Sequence, residues 1–265
     1  MSVAKKLVLR DEEWQMETIP FPDLPAGAVH IAVDAVLMPP HTGDDAFWAG
    51  HNAQSPATCY IGWGPATDNL AAMKEDLLAA PQDYADPLVA ALSLPAYAIA
   101  LALASFTPPL TVGVLGQGLL SDLTRNILTY QGFSLEQAEP EADLGLLVDM
   151  GSEPGMWARS LPALRAHGTL LLFVPPWSRP ASFDFYPQIH RRSLQVISRH
   201  WHHQPQALAP ELAIHLLPII SRIVSESQWL CPLDLKNTNA QTGVWQWINW
   251  TESGATEESD TGPVI

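Results

Sequence analysis

Residues 112–121, Val-Gly-Val-Leu-Gly-Gln-Gly-Leu-Leu-Ser, confine the middle of this chain to one kind of local structure. An apolar run enters a glycine turn, and a helix-forming segment follows at once. Gly116 and Gly118 occupy the first two positions of a G-x-G-x-x-G pattern, and Ser121 occupies the third. Glycine at the first position permits a sharp strand-to-helix turn. Glycine at the second lets the backbone approach a pyrophosphate, whose charge then rests on the helix N-terminus. The third position governs close helix–strand packing, and serine is small enough for it. The same pattern also describes a bare tight turn, so its surroundings decide.

Those surroundings predict a series of strands and helices. A strand over 111–115 leads into a helix over 119–131, which Gly132 stops. A short strand near 133–138 follows. Leu144-Gly-Leu-Leu-Val-Asp149 is a continuous apolar run of the kind buried on both faces of a parallel sheet. A helix over 154–166, closed by Gly168, leads to a strand over 169–174. A further strand near 194–198 and a helix over 207–224 complete the series. Strand–helix alternation with short links implies an α/β fold with a doubly wound parallel (Rossmann-type) sheet.

The part before the glycine turn reads differently. Residues 5–10 and 29–37 are strand-like, and the second alternates at period two. The stretch 39–69 is rich in Pro, Gly, His, Asp and Trp and reads as loop; 70–79 reads as a short helix. Leu88–Phe106 carries no charge and is long enough to suggest a membrane span. Its alanines and Pro95 favour a buried core helix over about 86–105 instead. The expected division is 1–85, 86–225 for the nucleotide-type domain, and 226–251 returning to the N-terminal region. An acidic tail over 252–265 is expected to be disordered.

Composition narrows the function classes. The 265 residues carry a formal charge of −15, which argues against nucleic acid and anionic membranes as partners. Apolar residues at 47% and charged residues at 15% are those of a folded globular chain. The two cysteines, Cys59 and Cys231, form no C-x-x-C pair, so neither a disulfide framework nor a four-thiolate zinc site is expected. Met1-Ser-Val-Ala-Lys-Lys shows no secretory signal, and a cytoplasmic location is expected. No P-loop lysine follows the glycines and no nucleophile elbow is visible.

The order of features over 88–200 resembles the medium-chain dehydrogenase/reductase superfamily. A helix precedes the glycine strand, Val148-Asp-Met-Gly151 ends a later strand, and a helix, a Gly turn and an apolar strand follow. Within that superfamily the chain is most similar to zinc-less bacteriochlorophyllide dehydrogenases. Thr42-Gly-Asp-Asp45 with Trp48-Ala-Gly50, and Ser182-Phe-Asp-Phe with Trp201, are similar to their segments. The resemblance implies a GroES-like, β-rich N-terminal region, here shortened between Gly64 and Leu88. It also implies a nucleotide domain lacking one strand and helix, because the connection before the Asp149 strand is short. Met38-Pro39 stands where a zinc-binding Cys is expected.

The candidate site follows from these parts. Gly116, Gly118 and Ser121 are the pyrophosphate candidates. Glu139, with Glu136 as second choice, is the ribose partner at the end of the second strand, favouring NAD over NADP; a solvated acidic loop is the competing reading. Asp149 and Gly151 lie at a strand's carboxyl edge, where such sheets bind ligands; Asp149 reads equally as a helix cap. Pro175 occupies the next strand's edge, and Trp177 beside it either walls a pocket or packs in the core. In zinc-less relatives the loop 41–51 faces nicotinamide and substrate, which implies His41 or Asp45 as proton acceptor.

His41, Asp44, Asp45 and His51 satisfy no recognised metal-ligand spacing, so no metal site is assigned. His200-Trp-His-His203 reads as a metal site, a rim over a planar substrate, or a packed strand end. The expected function is zinc-independent, NAD(P)-dependent hydride transfer on a small secondary alcohol or carbonyl. The alternative is a non-catalytic descendant kept as a binding or assembly subunit. In either case a homodimer through the edge strand at 194–199 is the expected assembly.

Overall fold

The computed structural model describes residues 3–10, 13–21, 23–38, 45–84, 86–150, 156–173, 184–199, 210–226, 229–230 and 246–250. The chain divides into two compact units. One comprises Met1–Leu94, Gln206–Pro210 and Val224–Ile265; the other comprises Pro95–Pro205 and Glu211–Ile223.

The first unit is mostly antiparallel β; the short strands Trp229–Leu230 and Gln246–Asn249 of its larger sheet pair parallel. Strands β1 (Val3–Arg10) and β2 (Glu13–Pro20) form a hairpin. The larger sheet contains β3 (Ala28–Met38), β4 (Asp45–Asn52), β5 (Ser55–Pro65), β6 (Asn69–Met73) and β7 (Leu78–Ala79). Alternation along β3 sends Ile31, Val33, Val36 and Met38 into a core with Leu7, Ala46, Trp48 and Trp250. The period-two pattern slips once, at a bulge between Val33 and Ala35, which holds Asp34.

Two expectations fail in this unit. The loop expected over 39–69 is, from Asp45 on, the β4–β5 ladder. Its glycines are packing positions: a Cβ on Gly62 would collide with the indole of Trp48. Phe47 opposes Trp63 edge-on across the ladder at 4.6 Å, a cross-strand aromatic pair that favours strand. The short helix expected over 70–79 is instead β6, a 3-10 turn at Lys74–Asp76, and β7. Pairing of Asn69–Met73 with β3 overrides the helical tendency of its alanines.

Helix α1 (Pro87–Leu103) matches the expected apolar helix and is buried along nearly all its length. Among the described residues no helix is long and apolar enough to cross a membrane.

The second unit carries the expected parallel sheet. Strands β8 (Thr111–Leu115), β9 (Ser134–Leu135), β10 (Leu144–Asp149), β11 (Leu164–Phe173) and β12 (Gln195–Arg199) lie in the order β12-β11-β10-β8-β9. All pairs are parallel, and every residue of β10 is buried. Helix α2 (Leu119–Tyr130) links β8 to β9, and α4 (Pro210–Glu226) follows β12 in sequence. Residues 136–143 run from β9 to β10 without strand or helix, as the short connection implies. Strand order therefore reverses between β8 and β10.

The helix expected over 154–166 is much shorter. Helix α3 (Met156–Ser160) gives way to a 3-10 turn at Leu161–Ala163, where Pro162 lacks the N–H a longer helix needs. The chain is already strand at Leu164. Gly168 stops no helix; it lies within the irregular part of β11, where the register with β10 shifts.

Candidate functional site

The site is built at the carboxyl edge of β8 and β10. In open α/β sheets ligands bind outside the strand ends where the order reverses. Leu115 and Asp149, the last residues of these strands, are register partners, and Met150 N–H donates to the Leu115 carbonyl at 3.2 Å.

Beyond Leu115 the backbone turns through two left-handed glycines, Gly116 at φ +99° and Gly118 at φ +84°. Gly118 is the N-cap of α2 with ψ −169°, a region open almost only to glycine. It offers no side chain to the N–H groups of the first turn, which are left for a ligand or solvent. Among the described residues, a Cβ at Gly118 would have no atom within 4 Å, so on that side the second glycine opens onto free space.

Ser121, the third position, is only 1% exposed, and its Oγ has no hydrogen-bond partner. That oxygen lies 2.9 Å from where Gly116 would carry a Cβ. Glycine first and a small residue third are thus one packing requirement. An open backbone turn, a helix N-terminus of full length and an orphaned buried hydroxyl fit a dinucleotide's pyrophosphate.

Asp149 is 5% exposed, and its Oδ2 accepts a hydrogen bond from Trp157 Nε1 of α3. Its side chain is therefore bonded to an indole, a contact the sequence did not indicate. Glu139 and Glu136 are exposed in the connection after β9, where the Glu139 carbonyl accepts from Ala142 N–H at 2.9 Å. With Glu141 and Asp143 they form a solvated acidic segment.

Asp45 opens β4 in the other unit, is exposed, and pairs with Pro65. His41, Gly151 and Pro175, together with Asp44, Trp177 and the segment 200–203, lie outside the described residues. His51, which the sequence grouped with them, sits on β4 with its Nδ1 2.9 Å from Asp34 Oδ2. Cys59, its register partner on β5, has its thiol pushed up to about 11, first by burial and then by the Asp34 charge. Among the described residues no group of three or more His, Cys, Asp or Glu is placed to hold a metal ion.

Sequence reasoning missed three interacting side chains, Arg125 and Trp157 in the second unit and Asp34 in the first. Arg125 could have been found only as the helical neighbour of Asp122 three positions back. Trp157 lay in an expected helix with nothing to indicate which side it faces. Asp34 was hidden in an alternating strand, since no spacing signals a bulge.

No protein-family model matches the sequence, and no curated protein is significantly similar to it. Solved structures are. The yhdH oxidoreductase of Salmonella enterica, in complex with NADP, is 13% identical with a TM-score of 0.64, over 94% of this chain and 99% of that one. Acetophenone reductase of Geotrichum candidum, in complex with NAD, is 11% identical at 0.63, over 94% and 98%. The 2R,3R-butanediol dehydrogenase of Bacillus subtilis is 11% identical at 0.60, over 93% and 99%. At such identities the likeness is one of fold: a parallel α/β sheet with a β-rich region, as in dehydrogenases and reductases.

Proposed function

We propose that this chain is a zinc-independent, NAD(P)-dependent oxidoreductase acting on a secondary alcohol or carbonyl. The single observation that carries this reading is the turn at Gly118, in a conformation reserved for glycine and open to space beside a helix N-terminus. The nicotinamide complexes among the structural neighbours support it.

The first-turn N–H groups of α2 would bind the pyrophosphate, on the turn that Ser121 packs against at Gly116. Glu139 would accept hydrogen bonds from ribose hydroxyls, and the acidic segment around it would disfavour a 2′-phosphate, so NAD is preferred. Asp149, held by Trp157, shapes the strand edge; Gly151 and Pro175, which come after β10 and β11 in sequence, are the proposed contacts on the nicotinamide side. When bound, the cofactor supplies the hydride donor or acceptor. His41 or Asp45 is the proposed proton acceptor for the alcohol. We also propose a cytoplasmic homodimer paired through β12, one of the two outer strands of its sheet among the described residues.

The second reading, a non-catalytic binding or assembly subunit, is favoured by β9 having only two residues and by there being, among the described residues, no strand beyond it in the sheet. Titrating the protein with NADH and NADPH, followed by nucleotide fluorescence and melting temperature, separates the two. Micromolar binding raises the melting point by linkage. Binding with NADH favoured, abolished in Gly118→Trp, supports the oxidoreductase; a flat response to both nucleotides sinks it.

A further inference from the structure

The end of β8 is held differently on its two edges. On the β10 side the Leu115 carbonyl accepts from Met150 N–H. On the other side the ladder stops early. Strand β9 pairs only with Thr111 and Val112, and Glu136 N–H donating to the Val112 carbonyl at 3.1 Å extends it by one bond. Carbonyl directions alternate along a strand, so Val114 presents its oxygen to that same edge.

Arg125 of α2 reaches this edge. Its Nη2 donates to the Val114 carbonyl at 3.3 Å and to the Gly116 carbonyl at 3.2 Å. Its Nη1 donates to Asp122 Oδ1 at 2.9 Å. One planar guanidinium thus ties the last strand residues, the first glycine of the turn and the first helical turn together.

We propose that Arg125 is the positioning residue of the phosphate turn, standing in for the strand partner that the short β9 does not supply. This rests on the cofactor reading above and names the residue that presets its geometry. The fork serves two carbonyls and a carboxylate at once, which a lysine ammonium on a flexible stem does not reproduce. Asp122 offsets the charge, so the role is to hold the backbone rather than to attract phosphate. The side chain is 39% exposed, so its bonds add little to global stability. Their effect falls on the turn, where small displacements are costly to binding.

The test compares Arg125→Gln, Arg125→Lys and Asp122→Asn with the unaltered protein. Two readouts are used: NADH affinity, and backbone amide relaxation of Gly116 and Gly118 without nucleotide. Both arginine variants should weaken NADH binding about tenfold, the scale of a charge-assisted hydrogen bond. Asp122→Asn should do so by a smaller factor, and the turn should become more mobile in all three while unliganded melting temperatures stay within a few degrees. Full affinity in Arg125→Lys would mean that charge alone matters and would overturn the proposal. So would an unchanged turn in both arginine variants. If the unaltered protein binds no nucleotide, the cofactor reading fails, and turn mobility still decides the role of Arg125.

Discussion

The Oγ of Ser121 lies 2.9 Å from the position a Cβ on Gly116 would take, with no hydrogen-bond partner of its own. Two residues five positions apart therefore share one small volume beneath the turn. Gly116→Ala adds both that clash and the strain of φ +99°. It should lower stability by about 1–3 kcal/mol. Adding Ser121→Gly should recover the steric part and leave the dihedral part. Urea denaturation of the two single variants and the double variant measures this; strict additivity would show that the two positions do not share space.

The Trp157–Asp149 bond should contribute about 2 kcal/mol, as hydrogen bonds to charged groups do. Trp157→Phe removes the donor with little change in shape. A double-mutant cycle with Asp149→Asn, read by chemical denaturation, should show coupling of that order. Zero coupling would mean that the indole only packs against the carboxylate.

Cys59 should be a slow thiol. With its pKa raised from 9.0 to about 11, its thiolate fraction at pH 8 is lower by about a hundredfold. Iodoacetamide labelling of the folded protein, read peptide by peptide by mass spectrometry, should show Cys59 slower than free cysteine by that order. The same shift sets a sign for stability. The folded state keeps the proton that the unfolded state releases near 9.0. The contribution is therefore complete below pH 9 and is lost as pH rises through about 11. Cys59→Ser should flatten the alkaline limb of a stability–pH curve.

If copies pair through β12, Val196 is placed to report it, being 44% exposed on an outer strand of the sheet. Val196→Glu brings like charges together across the two-fold and should weaken the dimer about tenfold. Sedimentation velocity is the measurement. A monomer at tens of micromolar in the unaltered protein would sink the dimer.

The second unit was largely legible in the sequence. Strand β10 read as a buried parallel strand because six consecutive residues avoid contact with water on either face. The 119–131 helix ends where expected because Gly132 takes the left-handed conformation that stops it. The hairpin β4–β5 was not legible. Its Trp48 and Gly62 fit each other only across strands, and a linear reading sees a tryptophan and a glycine in a stretch without periodicity.

What the sequence determined by itself is the strand–turn–helix at 111–130, since glycine is the only residue that adopts φ +84° with ψ −169° at little cost. Tertiary structure decided the rest of the site. It placed Leu115 beside Asp149, aimed Trp157 at a carboxylate and brought Arg125 back to Val114 and Gly116. It also paired His51 with Asp34 at a bulge. Propensity and period act over a few residues, whereas these contacts join residues that meet only when the strands pair and the helices pack on the sheet.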